Sequence, residues 1–156
     1  MIGWRVAAGA LAMSLAVTAP AGCGRRSSHR ASASERRFVA DANASCARVA
    51  GQTAPRARTT AELADQLGQR AQALDDLQAS FRQLHPPAGD ERRLDALVGD
   101  VGDVAAALRR AQAAASNRDR RGYDAAVADG RRANARAGKV ARELGLSRCL
   151  RPRPKK

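Results

Sequence analysis

Residues 90–116 read DERRLDALVGDVGDVAAALRRAQAAAS, and Leu94, Leu97, Val98, Val101, Val104, Leu108, Ala111 and Ala115 recur within them at helical spacing. That period of 3.6 predicts an amphipathic helix from about Asp90 to Ser116, where a strand would alternate every second residue. On its N-terminal side, Leu63, Leu67, Leu74, Leu77, Phe81 and Leu84 form a second stripe, with Ala71 or Arg70 in the long gap. Thr59-Thr60-Ala61-Glu62 has the form of a capping box, in which the Thr59 and Glu62 side chains each satisfy an orphan amide of the first turn. The helix is expected to stop at His85-Pro86-Pro87, because proline disfavours α geometry in the residue before it. Further upstream, Phe38, Ala42, Cys46 and Val49 predict a helix from about Ser34 to Ala50, followed by a breaker from Gly51 to Arg58 that contains Pro55. Downstream, Asn117 to Asp119 reads as a turn, and a fourth helix runs from about Arg120 to Leu144 with Tyr123, Val127, Gly130, Ala137, Val140 and Leu144 inward. Gly145 stands where a left-handed C-cap belongs.

Composition agrees with helices alone. The chain has 156 residues, enough for one core. Of its 44 % hydrophobic residues Ala supplies 37, while Phe, Trp and Tyr number four, so the core is built of small pieces. Scarcity of β-branched and aromatic residues excludes a sandwich, a barrel or a doubly wound sheet. Short connections make successive helices antiparallel neighbours, so the expected fold is all-α, a small up-down-up-down bundle of about four helices over residues 35–150.

The N-terminal segment has a different character. Only Arg5 is charged before a run from Val6 to Gly24 that carries no charge, rich in Ala, Leu and Val, which reads as a signal peptide over residues 1–22. The run ends in Ala21-Gly22-Cys23 and resembles the lipobox of bacterial lipoproteins, although Pro20 stands where that motif prefers Leu. The resemblance implies cleavage before Cys23 and diacylglycerol on its thiol, with residues 23–34 as a Ser- and Arg-rich flexible tether. Ala19-Pro20-Ala21 is also an Ala-x-Ala site, so ordinary secretion with cleavage after Ala21 is an alternative. An uncleaved anchor is another, because Arg25, Arg26, Arg30, Arg36 and Arg37 follow the apolar run and the positive-inside rule would then keep the body in the cytoplasm.

Three cysteines in an exported chain leave one over. With Cys23 lipidated, Cys46 and Cys149 remain as a pair that would clasp the ends of the domain. In an ideal up-down bundle the end of the first helix and the end of the fourth lie at opposite poles, so either Cys149 runs back or the first helix is displaced across the others. Gly68, Gly99, Gly102, Gly122, Gly130 and Gly138 interrupt the helices, each costing up to about 1 kcal/mol relative to Ala. They read as drift tolerated in a stapled domain, the other reading being close helix approach or a hinge.

The formal net charge is +13, and it sits at the ends. Residues 24–56 carry seven Arg against two acids, residues 57–130 ten against twelve, and residues 131–156 ten basic side chains against one acid. At 100° per residue Arg131, Arg132, Arg136, Lys139 and Arg142 fall within about 140° opposite the apolar stripe, and a basic tail, residues 151–156, continues the run. These five are the candidate contact with an anionic envelope component, lipid headgroups or wall polymers, the plainer reading being a solvated face partly paired with acids of the neighbouring helices. A basic helical nucleic-acid-binding protein with an uncleaved anchor is the reading from a different class; no helix-turn-helix or aromatic stacking pattern supports it.

Groups for catalysis are sparse. His29 lies in the tether and His85 at a helix end; Asp75-Asp76 and the Asp95, Asp100, Asp103 group lie on helix surfaces with no second cluster converging on them. Three cysteines without a CxxC pair and two isolated histidines give no metal-ligand spacing. The expectation is a non-enzyme without cofactor or metal.

Phe38 to Cys46 (FVADANASC), Leu84-His85-Pro86-Pro87 and Leu144 to Cys149 (LGLSRC), behind an exported leader, together resemble small helical secreted proteins and lipoproteins of high-GC Gram-positive bacteria. The resemblance covers about residues 36 to 150. It implies a Cys46–Cys149 disulfide and an extracytoplasmic, membrane-anchored or secreted helical domain, and it brings no activity with it.

Overall fold

The computed structural model describes residues 31–50 and 56–150, and these form four α-helices and one short 3-10 turn: α1 (Ala33–Ala50), α2 (Thr60–Arg82), α3 (Glu91–Ser116), α4 (Arg120–Glu143) and η1 (Ser147–Cys149). The signal peptide, Cys23, most of the tether, the Pro55 breaker and the basic tail lie outside the described residues. No helix among the described residues is long and apolar enough to cross a membrane.

The helix ends follow from local chemistry. α1 starts one residue before its expected Ser34, because Ser32 and Glu35 form a reciprocal capping box: Glu35 N donates to Ser32 Oγ (3.1 Å) and Ser32 N to Glu35 Oε2 (3.3 Å). The box expected at the start of α2 is half made. Glu62 N donates to Thr59 Oγ1 (3.1 Å), but the Glu62 carboxylate accepts from Arg58 N (2.6 Å), one residue ahead of the cap. α3 ends in a Schellman motif, Asp119 N to Ala114 O (2.8 Å) and Arg118 N to Ala115 O (3.1 Å), which forces Arg118 to a φ of 57°. α4 ends the same way, with Leu146 N to Ala141 O (2.8 Å) and the expected Gly145 at a φ of 71°. Leu146, which has no helical period to announce it, is thereby turned inward and is fully buried.

α2, α3 and α4 are antiparallel neighbours with α3 in the middle. Interhelix partners show it, for the numbers rise on one helix as they fall on the next: Gly68 faces Gln112 and Gln78 faces Gly102 between α2 and α3, while Asp100 meets Arg136 and Arg110 meets Asp129 between α3 and α4. One end of the core holds the large side chains Leu77, Phe81, Leu94, Leu97, Val101 and Leu144, sealed by Phe38, Ala42 and Cys46 of α1 and by Leu146. The other end is made of Ala64, Leu67, Ala111, Ala115 and Ala126 beneath Leu63, Leu108, Tyr123 and Val127.

The expected stripes of α1 to α3 turn inward, although Leu63, Leu74, Leu84, Val98, Val104 and Leu108 are only partly buried and Ala105, Ala107 and Ala114 lie deeper; α4 departs further. Its deepest residues are Ala126, Ala133 and Ala141, none in the expected stripe, and Tyr123, Val127, Ala137 and Val140 are only partly buried at the margins of the contact. Helices that approach closely admit only small side chains at the seam, which is why alanines occupy it.

The disulfide forms: Cys46 and Cys149 are bonded, with Cα atoms 5.0 Å apart and a separation of 103 positions in sequence. The up-down-up-down scheme fails at α1, which comes into backbone contact with α2 and η1 but not with α3 or α4. Nine residues connect α1 to α2, a reach of up to about 30 Å, so the end of α1 need not lie beside the start of α2 and instead stands next to the end of α4. Arg148 N donates to Asn43 Oδ1 (2.8 Å) across the same junction.

Several helix glycines have a packing reason: a Cβ on Gly130 would stand 3.3 Å from the Ala107 Cβ in the α3–α4 seam, and one on Gly122 would meet the Asp119 carboxylate. A Cβ on Gly102 would collide with Gln78 Nε2, and that amide donates to Val98 O (2.9 Å) across the α2–α3 contact. At Gly68 the intruding group would be Gln112, 2.8 Å away. Gly99 has open space around it, as the drift reading expects.

Candidate basic site on α4

α4 is set for its whole length against α3 by the alanine seam, so one side is committed to ion pairs with α3 and the opposite side to solvent. The five predicted cations divide accordingly. Arg136 bridges two α3 carboxylates a turn apart: its Nε donates to Asp100 Oδ1 (2.6 Å) and its NH2 to Asp103 Oδ2 (2.7 Å). The hydrogen bond to Asp100, reinforced by the charges of Asp100 and Asp103, raises the Arg136 pKa above the ordinary guanidinium value. Asp100 is only 13 % exposed, so this carboxylate depends on Arg136 more than the exposed Asp103 does. Arg132 pairs with Asp129, which also holds Arg110 at 3.2 Å.

Arg131, Lys139 and Arg142 are exposed and have no ion-pair partner among the described residues. Arg121 shares their state and their face. At 100° per residue the four fall within about 80° of arc and extend about 31 Å along the helix. Sequence reading missed Arg121 because it lies before the dense basic segment; extending the same helical wheel one turn past Tyr123 finds it. The acid in this sector, Asp124, is held by Arg120 Nε at 3.0 Å. Ala128, Ala135 and Gly138 fill the spaces between the cations, so no bulky side chain stands above them.

The acidic groups singled out for catalysis are engaged. Asp75 pairs with Arg109, Asp76 accepts from Gln72 (3.1 Å), and Asp100 and Asp103 hold Arg136. Asp95 and His85 are exposed and stand apart from them. An open recess beside the start of α2 is lined by Arg56, Ala57, Arg58, Glu62 and Gln66, where Glu62 is already occupied in capping. Surface ion pairs of this kind orient helices and contribute modestly to stability. No protein-family model, curated protein or solved structure matches this chain.

Proposed function

We propose that the chain is an exported, lipid-anchored protein of the cell envelope, akin to the small helical lipoproteins that its motifs resemble, whose disulfide-clasped bundle has a structural or interaction role rather than a catalytic one. The observation that carries this reading is the Cys46–Cys149 bond. It uses two of three cysteines and leaves Cys23, behind Ala21-Gly22, as the odd thiol that lipidation accounts for. Bonds of this kind persist where the surroundings are oxidising, which favours export over an uncleaved anchor with a cytoplasmic body. The basic face of α4 is the interaction surface in this reading, and an anionic envelope component, lipid headgroup or wall polymer, is its partner.

The test is the intact mass of the protein from a native-like host, with thiols alkylated before and after reduction. A chain that begins at acylated Cys23, with two thiols that react only after reduction, supports the proposal. A chain that begins at Gly22, with one thiol (Cys23) reacting before reduction and two more only after it, means secretion without an anchor. A full-length chain with free thiols overturns the export argument and brings nucleic-acid binding forward.

A further inference from the structure

We propose that the solvent face of α4, formed by Arg121, Arg131, Lys139 and Arg142, docks flat on the surface of an anionic phospholipid bilayer; the choice of a bilayer rests on the lipid-anchored reading above. Ion pairing with α3 and within α4 removes Arg132 and Arg136 from the five predicted cations; the three that remain, joined by Arg121, are four cations whose charge faces solvent. Their arrangement decides the kind of partner. They lie in an outward-facing line of about 31 Å, with small residues and the Arg120-paired Asp124 between them, a shape that meets a plane. A strand polyanion is held better in a groove that tracks its backbone. Guanidinium groups pair with phosphate through two parallel hydrogen bonds, so three arginines and a lysine suit a phosphodiester surface.

Chain length supports the same partner. Cys23 stands ten positions before Ala33, the first residue of α1, a reach of at most about 35 Å. An acyl chain on Cys23 therefore keeps the bundle beside the headgroups at high effective concentration, where a weak electrostatic contact suffices. The two acyl chains of a diacylglycerol already hold the protein at the membrane, so the basic surface sets how the bundle lies on the headgroups rather than whether it stays there. The partly buried Tyr123 is the aromatic residue of α4 and lies off the basic face, packed at the alanine-rich end of the core, so docking is by charge and not by insertion. It is accordingly sensitive to salt.

The experiment uses the chain from residue 23 onward with Cys23→Ser, so that the face is read without the anchor. Co-sedimentation is measured with vesicles of phosphatidylcholine alone and of phosphatidylcholine with phosphatidylglycerol, at low salt and at about 0.5 M, where screening is nearly complete. Binding is expected only to the anionic vesicles and only at low salt. Each cation near an anionic surface accounts for about a fivefold change in affinity, so Arg121→Gln/Arg131→Gln/Lys139→Gln/Arg142→Gln should weaken binding at least about a hundredfold. Arg37→Gln/Arg70→Gln/Arg82→Gln/Arg92→Gln removes the same charge from other exposed positions that have no ion-pair partner among the described residues and should weaken it far less. Far-UV circular dichroism of both variants is expected to match the parent, since none of the eight side chains is buried.

Equal losses in the two quadruple variants would assign the attraction to net charge and overturn the proposal. So would a loss produced by removing residues 151–156 with the α4 face intact, or capture of duplex DNA or polyphosphate with no binding to anionic vesicles. The anchor is judged separately by the native mass. An unacylated native chain that still binds anionic vesicles in this assay supports the face while removing the anchor, and an acylated native chain whose unacylated form shows no preference for anionic vesicles overturns the face while keeping the anchor.

Discussion

Removing the clasp is the sharpest perturbation of this fold. The bond closes a loop of 103 residues, for which the chain-entropy relation gives about 4.7 kcal/mol of stabilisation through the unfolded state. Small domains are stable by roughly 5 to 15 kcal/mol, so the bond accounts for a third of that or more. With an unfolding entropy near 2.1 cal/mol/K per residue over roughly 120 residues, the same energy corresponds to a fall of about 15–20 °C in Tm. Cys46→Ala/Cys149→Ala should therefore melt about that far below the oxidised parent, and the reduced parent should melt near the variant. The loss should also be local before it is global, because α1 has backbone contact with α2 and η1 only. Hydrogen exchange followed by mass spectrometry should show α1 amides losing protection while the α3 amides around Leu97 and Val101 keep theirs. A double variant melting within about 5 °C of the parent, or one whose α1 remains as protected as α3, would refute this account and mean that Phe38, Ala42 and their neighbours hold α1 by packing alone.

Three further outcomes separate local terms. Gly99→Ala has free space and should raise stability by up to about 1 kcal/mol, whereas Gly102→Ala must displace Gln78 and lose its bond to Val98 O, which offsets the helix-propensity gain; paired urea melts compare them. Arg118→Gly should stabilise by about 1 kcal/mol, since it removes a non-glycine residue from the left-handed position of the α3 Schellman motif; a lower midpoint in urea would count against that reading. Arg136→Gln should lower Tm at low salt and lose most of its effect at high salt. Its raised pKa means that the stabilisation is complete below the usual guanidinium titration and is lost only above it, so the difference from the parent should not vary with pH between about 5 and 9 through Arg136 itself.

Much of this was legible in order along the chain. Apolar spacing specifies which face of a helix turns inward, because the backbone repeat relates neighbours three and four apart whatever they pack against. The stripe of α3 was readable for that reason, the cap at Thr59 and the left-handed glycine at 145 from local end chemistry, and the cysteine pair by count. The Ser32-x-x-Glu35 box was equally present and went unread.

Tertiary structure decided which residues meet across helices. Register and approach distance depend on all the side chains at a seam together, so nothing in the local pattern says that Ala126, Ala133 and Ala141 lie deeper than Val127 and Val140, or that Gln78 lies over Gly102. The same holds for charge. On a helical wheel five cations of α4 look alike; only the distances to Asp100, Asp103 and Asp129 divide those neutralised by the bundle from those left facing outward. The position of α1 is the clearest case. Its own sequence predicts a helix with a buried cysteine, but where that helix sits is set by a bond to a residue 103 positions away and by a nine-residue connector long enough to allow it.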